Sequence, residues 1–168
     1  CETSPSELHV TPQHIETPFL SIELNERGHL TSIYDKQNQR QVLAEGAEGN
    51  VWQTFEDKPV AHDAWDIDIY YQDKMWVVDE NVRVTVIEEG PLRAGLQIEK
   101  TYRNSRFVQR LYVYSHTPRI DFDTEVDWHE HHVLLKAAFQ VDVHSARATY
   151  EIQFGALERS THWNTSWD

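Results

Sequence analysis

The sequence predicts an all-β protein, a large antiparallel β-sandwich, and three observations carry that reading. Apolar residues recur at spacing two through most of the chain. Turn-forming residues separate these segments at roughly ten-residue intervals, and no segment shows an apolar stripe at helical period. The clearest segment is "RIDFDTEVDW" (119–128). Ile120, Phe122, Thr124, Val126 and Trp128 share one face, and Asp121, Asp123, Glu125 and Asp127 share the other. On a helix those carboxylates would circle the axis; on a strand they line the side away from the core.

Taken in order, residues 1–18, "CETSPSELHVTPQHIETP", carry three prolines and no apolar period, so they are expected to be a linker from an upstream domain. The sandwich is then expected over 19–168. "FLSIELNERGHLTSIYD" alternates through Leu20, Ile22 and Leu24, turns at Asn25–Gly28, and resumes at Leu30 and Ile33, which predicts a β-hairpin. A polar loop follows, then a brief strand "VWQTFE" and an irregular excursion "DKPVAHDAWDID" around Pro59. "VRVTVIEE", "LRAGLQIEKTY", "RFVQRLYVYS", "RIDFDTEVDW", "VLLKAAFQVDV" and "ATYEIQF" continue the series of strands.

Composition narrows the function. Apolar residues make up 39% of the 168 and there are six tryptophans, a chain that folds around one core. With 15 basic against 28 acidic residues the net charge is -13, and no basic run offsets it, which argues against a nucleic-acid partner. The single cysteine, Cys1, rules out an internal disulfide framework and favours the cytoplasm. No apolar stretch approaches the roughly 18 residues a membrane span needs, so no membrane partner is expected.

The stretch "DWHEHHVLLKAAF" (127–139) looks richest in chemistry, with three histidines and two carboxylates in six positions. A zinc-protease motif needs histidines four apart on a helical turn. Here His129 and His132 are three apart and position 133 is Val, and no further ligand has a recognisable spacing, so no metal site is expected. The alternation breaks at "HEHH" and resumes at Val133. A hairpin with "HEHH" as its turn is therefore expected, with Glu130 accepting turn amides. Lys136 interrupts the apolar run and should need a carboxylate partner or a route to solvent.

"TEVDWHEHHVLLKAAF" resembles a stretch in the C-terminal region of the glycoside hydrolase family 38 α-mannosidases, where Val-Asp-Trp-x-Glu leads into Leu-Leu-Lys. "DAWDID" (63–68), preceded by Asp57 and Pro59, looks like that family's Asp-Ala-Trp-Asp segment. "YEIQFGALERSTHWNTSWD" is similar to its later run, in which Phe-Gly precedes Arg-x-Thr-His-x-Asn, and "GHLTSIYDK" also fits. Ser160 departs from the pattern, standing where many members have proline, which should alter a turn more than the chemistry. The resemblance implies a supersandwich-like domain, comparable to galactose mutarotase and truncated at its C-terminal end. It also implies a noncatalytic role. The nucleophile and the zinc ligands of such enzymes lie in an N-terminal barrel-like domain, so this chain alone should bind no cofactor and turn over no mannoside. Its partners would be the upstream catalytic and helical domains of the same chain, and mannose-containing glycans.

Two groups are candidates for the rim of a sugar site. Asp63, Trp65 and Asp66 place an aromatic ring beside carboxylates on a loop, the combination that stacks on a sugar and accepts its hydroxyls. The plainer reading makes Trp65 a core plug and Asp66 a turn cap. Arg159, His162 and Asn164 would reach the rim across a domain boundary or make interdomain hydrogen bonds. Trp128 completes the apolar face of its strand and is expected in the core. The competing function is a self-sufficient carbohydrate-binding or aldose-epimerase-like sandwich. That would need Glu130 to converge with His129, His131 or His132 in a cleft.

Overall fold

A computed structural model describes residues 8–164. Among them there are fourteen strands, one five-residue 3-10 turn and no α-helix. The strands are β1 (His9–Thr11), β2 (His14–Glu16), β3 (Leu20–Leu24), β4 (Leu30–Asp35), β5 (Arg40–Gln41), β6 (Gly49–Glu56) and β7 (Met75–Val77). After them come β8 (Glu80–Glu89), β9 (Arg93–Tyr102), β10 (Ser105–Tyr114), β11 (Ile120–Asp127), β12 (Val133–Phe139), β13 (Arg147–Ile152) and β14 (Gly155–Ser160). All pairings are antiparallel. Among the described residues no helix is long and apolar enough to cross a membrane.

An eight-stranded sheet runs β1-β2-β3-β4-β6-β12, with β5 on β4 and β7 on β6. A four-stranded sheet runs β11-β10-β9-β8 and packs on it, so the predicted sandwich is present; β13 and β14 form a separate hairpin. The main core joins Ile15, Ile22, Leu24 and Leu30 of the first sheet to Leu96, Ile98, Leu111 and Val113 of the second. A second cluster holds Trp52, Val78, Tyr102 and Phe107, with Trp128, Val133 and Leu135 against it. Trp128 is half-buried there, its ring edge-on to Phe107 at 6.2 Å.

The predicted β3–β4 hairpin forms, with Ile22 opposite Ile33. Its turn closes through Gly28 N donating to Asn25 O at 2.9 Å, and Asn25 Oδ1 accepts from the amides of Arg27 and His29. Gly28 has φ +69, and a Cβ there would lie 2.8 Å from Ile98 Cγ2. Both the left-handed backbone and the approach of the opposite sheet require glycine.

Two expectations are corrected. The linker expected over 1–18 gives way at residues 9–16 to β1 and β2, which extend the large sheet and bury Ile15 completely. Pro12 falls in the turn closed by Thr11 Oγ1 and His14, and Pro18 falls in the connection to β3, so neither removes a ladder hydrogen bond. The second correction concerns "HEHH". β11 pairs with β10 and β12 pairs with β6, so these four residues carry the chain from one sheet to the other and are not a hairpin turn. Alternation sets which face a strand buries and leaves its partner open. The sequence reading also missed β14 and the 3-10 turn Ile69–Asp73, and it started β6 two residues late.

Lys100 lies on the inward face of β9 at 2% exposure, and its Nζ has no hydrogen-bond partner among the described residues. It sits 5.9 Å from the Trp52 ring centroid, and burial pulls its pKa from 10.5 to about 8. A folded pKa below the unfolded one means that the unfolded chain holds more protons between those values. Stability should therefore rise with pH across that window. Lys100→Met should stabilise the fold by about 1–3 kcal/mol at pH 7. In urea titrations that advantage should shrink as pH rises from 8 to 10.5, the limits set by burial of this amine.

Candidate functional site

The "DAWDID" loop leaves the end of β6 and returns through the 3-10 turn to β7. At its base Glu56 accepts from Lys58 at 2.8 Å and Lys74 at 2.7 Å, hydrogen bonds that hold its carboxyl at about 2. Asp57 N donates to His132 O at 2.8 Å, tying the loop to the crossover before β12. Inside the loop Val60 N donates to Asp68 Oδ2 at 2.7 Å. His62, at φ 57, turns the chain so that its carbonyl accepts from the amides of Trp65 and Asp66.

Trp65 stands 87% exposed on this support, so it plugs no core. Asp63 and Asp66 are exposed beside it. Asp63 reaches His132 Nδ1 at 3.7 Å, and Asp66 contributes its amide, not its carboxylate, to the turn. The loop thus presents one indole and two carboxylates to solvent. Such a group can stack on a sugar face and accept its hydroxyls.

On the outer side of the large sheet Tyr71 packs edge-on to Phe55 at 5.2 Å. Lys136 of β12 donates to the Tyr71 hydroxyl and lies 4.0 Å from that ring's centroid and 5.3 Å from that of Phe55. Burial pushes the phenol pKa up, but hydrogen bonds from Lys136 and Gln72 more than offset it, leaving the pKa below its ordinary value. Among the described residues Lys136 has no carboxylate in ion-pair range, and its side chain is half-buried, not sealed from solvent. It takes a phenol and two ring faces, an arrangement that depends on Tyr71, 65 positions away in the chain.

Arg159, His162 and Asn164 belong to a different element. They follow or end β14, in the hairpin that pairs only with itself among the described strands. Arg159 lies 5.9 Å over the Tyr150 ring. Ser160 Oγ donates to His162 O at 3.2 Å and accepts from Asn164 Nδ2, so this serine ties the turn together. The two candidate groups lie on separate sheets.

In the crossover, Glu130 accepts from Asn104 N at 3.1 Å and Ser105 Oγ at 2.9 Å, and Ser105 Oγ in turn accepts from His129 N. The turn amide it takes belongs to the β9–β10 turn and not to its own. His129 pairs with Asp127 at 2.9 Å, His132 leans to Asp63, and His131 is exposed. Glu130, His129 and His132 are each engaged with different partners, so no acid–base pair of the kind an epimerase would need is seen among them. Among the described residues no three metal-ligating side chains converge.

Glu130 is the structural member of this stretch. Glu130→Ala leaves the Asn104 amide and the hydroxyl of buried Ser105 without their acceptor and should cost about 1–3 kcal/mol. Changing His129, His131 and His132 together to Gln should cost less than about 1 kcal/mol. Chemical denaturation of both variants checks the contrast.

The glycosyl hydrolases family 38 C-terminal domain model matches residues 15–168. Alpha-mannosidase 2C1 of Homo sapiens is 40% identical over 159 residues, covering 92% of this chain and 15% of that protein. Alpha-mannosidase G of Dictyostelium discoideum is 36% identical over 160 residues, again covering 92% and 15%. The chain thus spans less than a sixth of the length of these relatives. The crystal structure of an alpha-mannosidase from Enterococcus faecalis V583 superposes with a TM-score of 0.73 at 14% identity, over 99% of this chain and 21% of that one, a likeness of fold. With nearly its whole length matched, the chain belongs to glycosyl hydrolase family 38, as its C-terminal domain.

Proposed function

We propose that this chain is the noncatalytic β-domain of an α-mannosidase that removes terminal α-mannose from glycans, and that it packs on the upstream catalytic and helical domains and helps shape the pocket. What carries the reading is the rigidly supported loop that lifts Trp65, with Asp63 and Asp66, away from the sheet, in a chain matched by the family's C-terminal model. An indole held 87% exposed serves this chain's own core in no way and fits a ligand or a neighbouring domain. Arg159, His162 and Asn164 form a second contribution to the rim, His162 and Asn164 being joined by the Ser160 hydroxyl.

The zinc implied by the family does not fit the described residues of this chain, whose histidines diverge and form no ligand cluster. No step of the reaction is therefore assigned to them. Hydrolysis with retention belongs to the parent enzyme, and the role of this chain is to position sugar and to complete the wall of the site.

Two measurements test this. The isolated 168-residue chain should release no aryl leaving group from an aryl α-mannoside, and detectable turnover would sink the noncatalytic reading. In the full-length enzyme Trp65→Ala should raise KM about tenfold, equivalent to about 1.4 kcal/mol of binding, with kcat within a few-fold. An unchanged KM would remove Trp65 from the rim.

A further inference from the structure

Within residues 61–73 all but Asp68 and Tyr71 are exposed. Asp68 is bonded within the loop, through Val60 N, and the 3-10 turn buries none of its residues. The loop is tied at its base by Glu56 N to Lys74 O and Asp57 N to His132 O, and on one flank by Asp63 to His132. Across its middle, the grip on the sheet is the Tyr71 side chain, held between Phe55 and Lys136. Lys136 stands directly opposite Gln53 on the paired strand, with Leu134, Leu135, Ala137 and Ala138 as its chain neighbours. Among the described residues no carboxylate lies in ion-pair range of it. A half-buried ammonium whose hydrogen-bond acceptor is one phenol, and whose rings are Tyr71 and Phe55, loses all but Phe55 when the loop lifts.

We propose that Lys136 is a positioning residue for the sugar site. It latches Tyr71 to the outer face of the β6–β12 pair and thereby fixes the loop that carries Asp63, Trp65 and Asp66. This rests on the reading of that loop as part of the α-mannosidase rim. Lys136 itself touches no sugar. It acts by denying the loop alternative placements, so that the indole and its flanking carboxylates are preorganised, not ordered at the cost of binding. The depressed phenol pKa is consistent with a hydroxyl that accepts from an ammonium.

The test uses the full-length enzyme with Lys136→Met, Tyr71→Phe, both together, and Lys136→Arg. Hydrogen exchange of amides 61–73 should accelerate about tenfold in each single variant, with no further gain in the double, because the two groups make one contact. KM for an aryl α-mannoside should rise about fivefold or more while kcat stays within twofold, and Lys136→Arg, which keeps a donor and a ring contact, should recover part of both. Exchange that does not change in Lys136→Met, or effects that add in the double variant, would overturn the latch. Accelerated exchange with an unmoved KM would overturn the positioning role and place the failure in the sugar-rim reading instead. Tyr71→Phe removes one oxygen from a half-buried ring, so the comparison survives if the Met variant folds poorly.

Discussion

The two sheets are locked together where Trp52 of β6 meets Phe107 of β10, ring centroids 4.7 Å apart. Beside that contact, Asn50 Nδ2 donates to Gln109 Oε1 at 2.6 Å across the interior. Trp52 Nε1 donates back to Asn50 Oδ1, and Gln109 Nε2 donates on to Thr124 of β11. Tilted, packed rings supply area and tolerate sliding, whereas a buried amide chain has one register in which every member is satisfied. The pair therefore fixes how β6 lies over β10. β6 is in turn the strand from whose end the Trp65 loop departs and on whose outer face Tyr71 rests, so the placement of the candidate site follows from this junction.

The period of the chain announced the fold because burial in a sandwich acts residue by residue, and Ile22, Leu96 or Leu111 need only face inward. The long strands from Glu80 to Asp127 were legible for that reason. Strand partnership was not. The sequence around "HEHH" reads like a tight turn, but Glu130 is claimed by Asn104 and Ser105, far away in the chain, and that claim sends β12 to the other sheet. β1 and β2 were hidden for a different reason. Their apolar signal is only Val10 and Ile15 between prolines, and it becomes meaningful once β3 is there to pair with.

The candidate site was legible in part. An aromatic ring between aspartates on a Pro-bearing loop is a local pattern, and Trp65 stands where that pattern puts it. Its support was not legible, since the partnership of Lys136 with Tyr71 depends on the β6–β12 register and on a 3-10 turn with no periodic signature. The lysine did stand out as an interruption of an apolar run, but the phenol and two ring faces that meet it are partners no local pattern names. Arg159, His162 and Asn164 were grouped by motif; the Ser160 hydroxyl joins His162 and Asn164, whereas Arg159 lies over Tyr150.

At one side the sandwich gapes. Among the described strands β11 and β12 end their respective sheets, each pairing on one side alone, and between them a space of about 200 Å³ is lined by Trp52, Val126, Leu135 and Ala137 among others. Unsatisfied peptide groups flanking an apolar slot are a template for any strand of matching alternation, another copy of this chain included. The alternating carboxylates Asp121, Asp123 and Glu125 along β11 then gain a second meaning as gatekeepers. A copy approaching edge to edge must bring its own carboxylate row alongside, and although Arg119 partly neutralises Asp121 and Arg110 partly neutralises Asp123 and Glu125, the residual repulsion opposes the ladder its backbone invites. Salt that screens those charges would lower that barrier, so solution history as well as sequence decides whether such a domain stays single.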